Sequence, residues 1–149
     1  MELIKQNSQL RIIKLLTIIF LGSVILAISA KVKIPFYPVP MTMQTFVVLL
    51  LGLSFGYKVA LATIGLYLLE GILGLPVFSN SPERGVGIAY FTGPTMGYLI
   101  GFLSASFLAS FINTNDDYFK IFIKLILSVS TIYIFGILWL GTLIGWDKP

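Results

Sequence analysis

Residues able to carry out chemistry are scarce in this 149-residue sequence. It contains no Cys and no His, which excludes thiolate catalysis, imidazole proton transfer and the commonest zinc sites. It has no Gly-x-x-x-x-Gly-Lys-Ser/Thr motif for the phosphates of ATP. Glu70 is the one acid deep inside an apolar segment, whereas a membrane enzyme would need a second acid or a metal ligand beside it. The sequence therefore predicts no enzyme, no metal site and no cofactor.

Polar and aromatic residues suited to bind a small ligand concentrate in two loops. The first loop, residues 31–41, contains Pro35, Pro38 and Pro40, which fix φ and exclude a helix. It is either a rigid turn with interfacial aromatic residues or a lid over a pocket. The second loop, residues 75–92, is rich in Gly, Ser and Pro, and Asn80 offers both a donor and an acceptor. Glu70 either extends to water beside this loop or lines the same pocket.

The composition requires these loops to join membrane-spanning elements. Hydrophobic residues make up 57% of the chain and charged residues 11%, against about 25% charged in soluble domains. The mean hydropathy is +0.97, and a soluble core of this size cannot hide so much apolar surface. The net charge of +4 forms no continuous basic face, which argues against nucleic-acid binding.

Uncharged stretches between charged residues predict the spans, because a helix needs about 20 apolar residues to cross a bilayer. Apolar runs without alternation exclude the strand pattern of a β-barrel. The sequence therefore predicts an all-α integral membrane protein, a single domain over residues 1–149 with five spans. These spans are predicted near residues 10–30, 41–55, 58–74, 93–112 and 121–145.

The distribution of Lys and Arg predicts a cytoplasmic N-terminus. With this orientation, both loops and the C-terminus face outward. The first basic segment also fits a signal peptide with small residues at positions 27–29, but the later segments are equally apolar, which favours a retained span. The inner side then holds Lys5, Arg11, Lys14, Lys58, Lys120 and Lys124, and the outer side holds Lys31, Lys33, Arg84 and Lys148.

Small residues recur at every fourth position of the fourth predicted span, which indicates close helix packing in lipid. Because such steps drift about 40° around a helix, the ridge should wind and suit a crossing partner. Ser23 and Ala27 in the first span form a weaker version, for bundle packing or for docking on a separate membrane subunit. The ridge consists of Gly93, Gly97, Gly101, Ala105 and Ala109.

Four stretches, taken in order, resemble the BioY family, the biotin-binding S components of energy-coupling-factor (ECF) vitamin transporters. Together they cover the chain from the first predicted span to the fifth, and their order makes the resemblance specific. They are Ile34-Pro35…Pro38-Val39-Pro40-Met41-Thr42-Met43-Gln44-Thr45, Gly74-Leu75-Pro76-Val77-Phe78, Gly93-Pro94-Thr95-x-Gly97-Tyr98-Leu99-x-Gly101-Phe102 and Ile132-Tyr133-x-x-Gly136-x-x-Trp139-Leu140.

The resemblance implies a six-helix bundle in the plasma (inner) membrane, with an outward-facing biotin site beneath the loops. It also implies that Ser23 and Ala27 face a transmembrane T subunit and that two ATP-binding-cassette ATPases complete the transporter. Biotin needs aromatic walls and a few fixed polar groups. The candidate biotin-binding residues are Tyr37, Gln44, Glu70, Phe78, Asn80, Tyr90, Thr95 and Tyr98.

The sequence departs from the resemblance at its end. No segment matches the family's sixth helix, whose Asp and Lys would contact the ligand, and Asp147 and Lys148 do not have the spacing of that motif. A truncated site is therefore expected to bind biotin poorly or not at all. The alternative is a small structural or assembly membrane protein that binds no ligand.

Overall fold

In the part of the chain that the structure describes, five helices are joined by loops and one pair of short strands. A computed structural model describes residues 2–35, 39 and 41–147. Two-residue strands, which the sequence analysis does not predict, pair antiparallel and join Lys33 to Thr42 and Ile34 to Met41. The elements are α1 (Glu2–Lys31), β1 (Lys33–Ile34), β2 (Met41–Thr42), α2 (Gln44–Ile72), α3 (Ile88–Phe91), α4 (Met96–Ala109) and α5 (Tyr118–Ile144).

Helix α2 folds back on itself at Gly56. This glycine has φ 80° and ψ 171°, which is non-helical and suits a residue without Cβ. The side chains of Gln44 and Tyr67 lie 2.7 Å apart, although a straight helix would separate residues 23 positions apart by about 34 Å. We call residues 44–55 the first arm and residues 57–72 the second arm. They correspond to the predicted spans near 41–55 and 58–74.

The other helix bounds differ from the predicted spans at their ends. Helix α1 starts at Glu2 and thus includes the basic N-terminal residues, whereas α4 is shorter than residues 93–112 and has 14 residues. By length and composition, three helical segments in the described part of the chain can cross a membrane: Gln6–Lys31, Gln44–Ile72 and Tyr118–Ile144. Helix α2 folds back at Gly56, so its 29 residues form two short arms and not one long span. The number of five membrane crossings therefore remains a prediction.

Helix α4 lies between α2 and α5, and small residues permit both contacts. A Cβ on Gly101 would lie 2.6 Å from the Cα of Ile132 in α5, and one on Gly97 would overlap the backbone of Phe135. Further along, Gly52 of the first arm packs against Ala109. The small-residue ridge therefore faces α5 at one end and α2 at the other, and both contacts lie inside the bundle.

Helix α1 packs against the second arm through Ser23. This residue is fully buried, and its hydroxyl oxygen lies within hydrogen-bond distance of two acceptors, the carbonyl oxygen of Phe20 at 2.8 Å and Oε1 of Glu70 at 3.0 Å. Ala27 is half-buried and packs on the core. For Ser23 the structure thus shows packing within the bundle instead of an exposed docking surface, because its side chain already contacts the second arm.

The outer faces of α1 and α5 are apolar. Leu16 and Phe20 of α1 are exposed, as are Leu127 and Ile134 of α5. Large apolar side chains in such numbers are expected to face lipid rather than water.

Candidate functional site

A cavity of about 310 Å³ lies at the end of the bundle where the first and second loops meet. The first arm, α4 and α5 form its sides, and the two loops and α3 form its rim. Its size and mixture of aromatic and polar groups suit a small organic ligand. The lining residues are Val39, Met41, Thr42, Gln44, Thr45, Ser79, Tyr90, Thr95, Tyr98, Leu99, Phe102, Ile132 and Tyr133.

The amide of Gln44 is held in one orientation by the fold-back of α2. The Tyr67 hydroxyl donates to the carbonyl of Val77 at 3.0 Å, so its oxygen accepts from Nε2 of Gln44 at 2.7 Å. The Thr42 hydroxyl donates to Oε1 of the same amide at 3.3 Å. A primary amide carries two N–H groups and two acceptor lone pairs. Gln44 therefore retains one donor and one acceptor position for a ligand.

Tyr90 forms one wall of the cavity and rests on a buried aromatic cluster. Its ring stacks on Phe78 with centroids 4.5 Å apart, and Phe78 meets Tyr67 edge-on at 5.5 Å. Phe78 is fully buried, and the absence of a Cβ on Gly71 makes room for its ring. Burial raises the pKa of the Tyr90 hydroxyl, and a hydrogen bond with Thr95 opposes this shift. The hydroxyl is thus protonated at neutral pH.

Tyr98 and Tyr133 form the opposite wall. Their rings meet edge-on with centroids 6.3 Å apart, and Tyr98 occupies the space beside Gly136 of α5. The indole N–H of Trp139 donates to the carbonyl of Gly93 at 2.9 Å, which joins α5 to the segment before α4. This hydrogen bond holds α5, which carries Tyr133, in position relative to the segment that leads into α4.

Two lysines of the first loop hold the second loop over the cavity. The Lys31 ammonium donates to the carbonyls of Phe78 and Ser81 at 2.8 and 2.7 Å. The Lys33 ammonium donates to the carbonyl of Ser79 at 2.8 Å and to Oδ1 of Asn80 at 2.7 Å. We call these four hydrogen bonds the lysine bridge. The lysine bridge fixes the position of the second loop relative to the first loop.

The structure brings four of the eight candidate ligand-binding residues to the cavity wall: Gln44, Tyr90, Thr95 and Tyr98. The other described candidates lie elsewhere. Phe78 lies behind Tyr90, because the Tyr90 ring covers it. Asn80 is turned to Lys33, and Glu70 to Ser23. Tyr37 lies outside the described residues.

Several lining residues are missed by the sequence analysis. Thr95, Tyr98, Leu99 and Phe102 follow an i, i+3, i+4, i+7 spacing, which marks one face of a helix and could have revealed the last two. The small-residue ridge of the same helix indicates helix packing and does not reveal the face that lines the cavity. Ser79 carries no comparable signal, since it is one of two serines in the second loop.

A model of the BioY family matches residues 4–148. The chain belongs to the BioY family. Among relatives, a probable biotin transporter BioY of Pyrococcus horikoshii is 34% identical over 122 residues, which is 82% of this chain and 71% of that protein. A probable biotin transporter BioY of Rickettsia prowazekii is 30% identical over 129 residues, 85% of this chain and 65% of that protein. The chain thus spans about two thirds of the length of these relatives.

A solved structure has the same fold as this chain. It is the S component for biotin from an ECF-type ABC transporter, with a TM-score of 0.75 and 28% identity, covering 89% of this chain and 74% of that one. The predicted all-α membrane fold is therefore confirmed, and the chain is a multi-pass membrane protein. Because BioY proteins are transporter components, the prediction that the chain is not an enzyme also agrees with its family.

Proposed function

We propose that this chain is the biotin-binding S component of an ECF-type vitamin uptake transporter and that biotin occupies the cavity between the first arm, α4 and α5. The observation that carries the proposal is the cavity itself. It lies in a bundle that shares its fold with a biotin S component and contains four predicted ligand-binding residues. Its volume of about 310 Å³ falls within the range of small-molecule sites.

The chemistry of the lining residues fits the parts of biotin. Tyr90, Tyr98 and Tyr133 offer flat apolar surfaces for the thioether ring and the aliphatic chain. The Gln44 amide, with one donor and one acceptor position left, suits a ureido group, which itself presents N–H donors and a carbonyl acceptor. Thr95, which hydrogen-bonds the Tyr90 hydroxyl, adds a further polar group to the lining. Specificity for a cyclic urea would follow from this pairing.

The proposal extends to orientation and partners. The basic N-terminus lies in the cytoplasm, so that the cavity opens to the outside of the plasma membrane. A transmembrane T subunit and two ATP-binding-cassette ATPases supply the energy of transport, since the sequence has no P-loop. Ala27, which is half-buried, is the remaining candidate of the α1 pair for contact with the T subunit.

Titration of the detergent-purified protein with labelled biotin tests the proposal. Tyr98→Ala should weaken binding roughly tenfold or more, because about 1.4 kcal/mol of lost aromatic contact corresponds to one decade. Tyr118→Ala is the matched control, since Tyr118 is 93% exposed and lies at the first turn of α5, about 21 Å along the helix from the lining residue Ile132. It should leave the affinity unchanged.

Absence of biotin binding by the unmodified chain would overturn the proposal. Weak but measurable binding would leave the proposal standing and would agree with the weaker affinity that the sequence analysis expects. Nothing in the structure favours the alternative of a structural protein, because the small-residue ridge is in contact with α2 and α5 inside the bundle.

A further inference from the structure

Ser79 lines the cavity, and its hydroxyl oxygen is buried without a hydrogen-bond partner. The residue is 6% exposed and lies in the second loop directly after Phe78. Its Oγ is the one buried side-chain polar atom without a hydrogen-bond partner within the part of the chain that the structure describes. Since native structures pair nearly all buried polar groups, such an atom needs an explanation.

Other buried serines show how the hydroxyl is normally satisfied in this fold. Ser23, Ser106 and Ser128 lie on helices and each donates to a backbone carbonyl three or four residues earlier, at 2.8 to 3.0 Å. Ser81 of the second loop donates to the carbonyl of Gly85 at 2.8 Å. Ser79 has no helix behind it and no such local acceptor among the described residues.

The backbone of Ser79 is held in place from both sides. Lys33 binds its carbonyl, and Lys31 binds the carbonyls of Phe78 and Ser81. The Phe78 ring next to it is fully buried in the aromatic cluster. The loop therefore cannot shift to find a partner without breaking these contacts, and the hydroxyl is limited to rotation about χ1.

We propose that the Ser79 hydroxyl is a ligand-contacting group and that it is paired by a hydrogen bond to biotin when the cavity is filled. This inference rests on the proposed function. Ser79 is the lining residue that the stretch between α2 and α3 contributes, and rotation about its χ1 would turn the hydroxyl to a ligand. Gln44 lines the cavity from the first arm, and Thr95 lines it from the start of α4. A hydroxyl both donates and accepts, which allows it to pair with either kind of polar group on biotin.

The test compares Ser79→Ala with Ser106→Ala in two measurements. Biotin affinity should fall roughly two- to twelvefold for Ser79→Ala, the range that one net hydrogen bond gives. Thermal stability without biotin should stay equal or rise, because the substitution removes an unpaired buried hydroxyl. Ser106→Ala removes a hydroxyl that is fully buried, bonded within α4 and absent from the cavity lining, so the affinity should not change.

The outcomes separate this inference from the proposed function. If the unmodified protein binds biotin and Ser79→Ala binds equally well, the ligand contact is refuted and the proposed function stands. If Ser79→Ala lowers the ligand-free unfolding temperature together with the affinity, the hydroxyl has a structural partner and the inference is also refuted. If the unmodified protein does not bind biotin, both proposals fail.

Discussion

The contact between α4 and α5 at Gly101 should tolerate no side chain. A Cβ at this position would lie 2.6 Å from the Cα of Ile132 and 3.1 Å from its carbonyl oxygen. Both atoms belong to the backbone, so no rotamer change can relieve the overlap. Gly101→Ala should therefore push α4 and α5 apart along the wall of the cavity.

The magnitude follows from a comparison with Gly65→Ala. Gly65 lies in the second arm, and a Cβ there has no other atom within 4 Å. Both substitutions gain about 0.8–1 kcal/mol of helix propensity. Overpacking costs typically about 1–3 kcal/mol and applies to Gly101→Ala alone. The two variants should therefore differ by about 1–3 kcal/mol, or roughly 2–12 °C in unfolding temperature for a chain of this size.

Thermal unfolding of both variants in the same detergent measures this difference. Biotin titration supplies a second measurement, because Ile132 and Tyr133 of α5 line the cavity and would move with the helix. We expect Gly101→Ala to lose stability relative to Gly65→Ala and to bind biotin more weakly. Equal unfolding temperatures for the two alanine variants would show that α4 and α5 do not pack through this glycine.

Three further predictions concern orientation, the lysine bridge and docking. Single cysteines can be placed in this Cys-free chain at the exposed positions Asn7, Glu83 and Asn115. A cysteine at Asn7 or Asn115 should be labelled from the cytoplasmic side and one at Glu83 from the outside. The reverse pattern would contradict a cytoplasmic N-terminus. Lys33→Met should weaken biotin binding severalfold, because two of the four hydrogen bonds that hold the second loop are lost. An unchanged biotin affinity would mean that the second loop keeps its position without the lysine bridge. Ala27→Leu should reduce co-purification with a T subunit while biotin binding persists, and full recovery of the complex would exclude this surface.

Sequence reasoning predicts the fold well where a pattern is local. Uncharged stretches and prolines place the helices, and the ridge of small residues predicts close packing. The reversal at Gly56 needs more than hydropathy, because a 29-residue apolar helix and two short arms have the same composition. The sequence nevertheless predicts two spans there, since Lys58 interrupts the apolar run.

The site is predicted less well because it depends on contacts between distant segments. Gln44 and Tyr98 belong to motifs, and both line the cavity. Glu70 and Asn80 have suitable chemistry, but Ser23 binds one oxygen of Glu70 and Lys33 binds the side-chain oxygen of Asn80. Neither pairing has a signature in the sequence. Ser79 becomes a candidate only when its burial and its missing partner are known.

The fold-back of α2 also bears on how the protein sits in its bilayer. The arms of 12 and 16 residues are about 18 and 24 Å long, shorter than the hydrocarbon layer of about 30 Å. Helices α1 and α5 are longer, with 30 and 27 residues, and the predicted span within α1, residues 10–30, has a length of about 31 Å, which matches that thickness. A span shorter than the hydrocarbon layer is accommodated by thinning of the lipid around it. The lipid beside the α2 arms is therefore expected to be thinner than the lipid beside α1, and a thin bilayer should accommodate these arms at the lower cost.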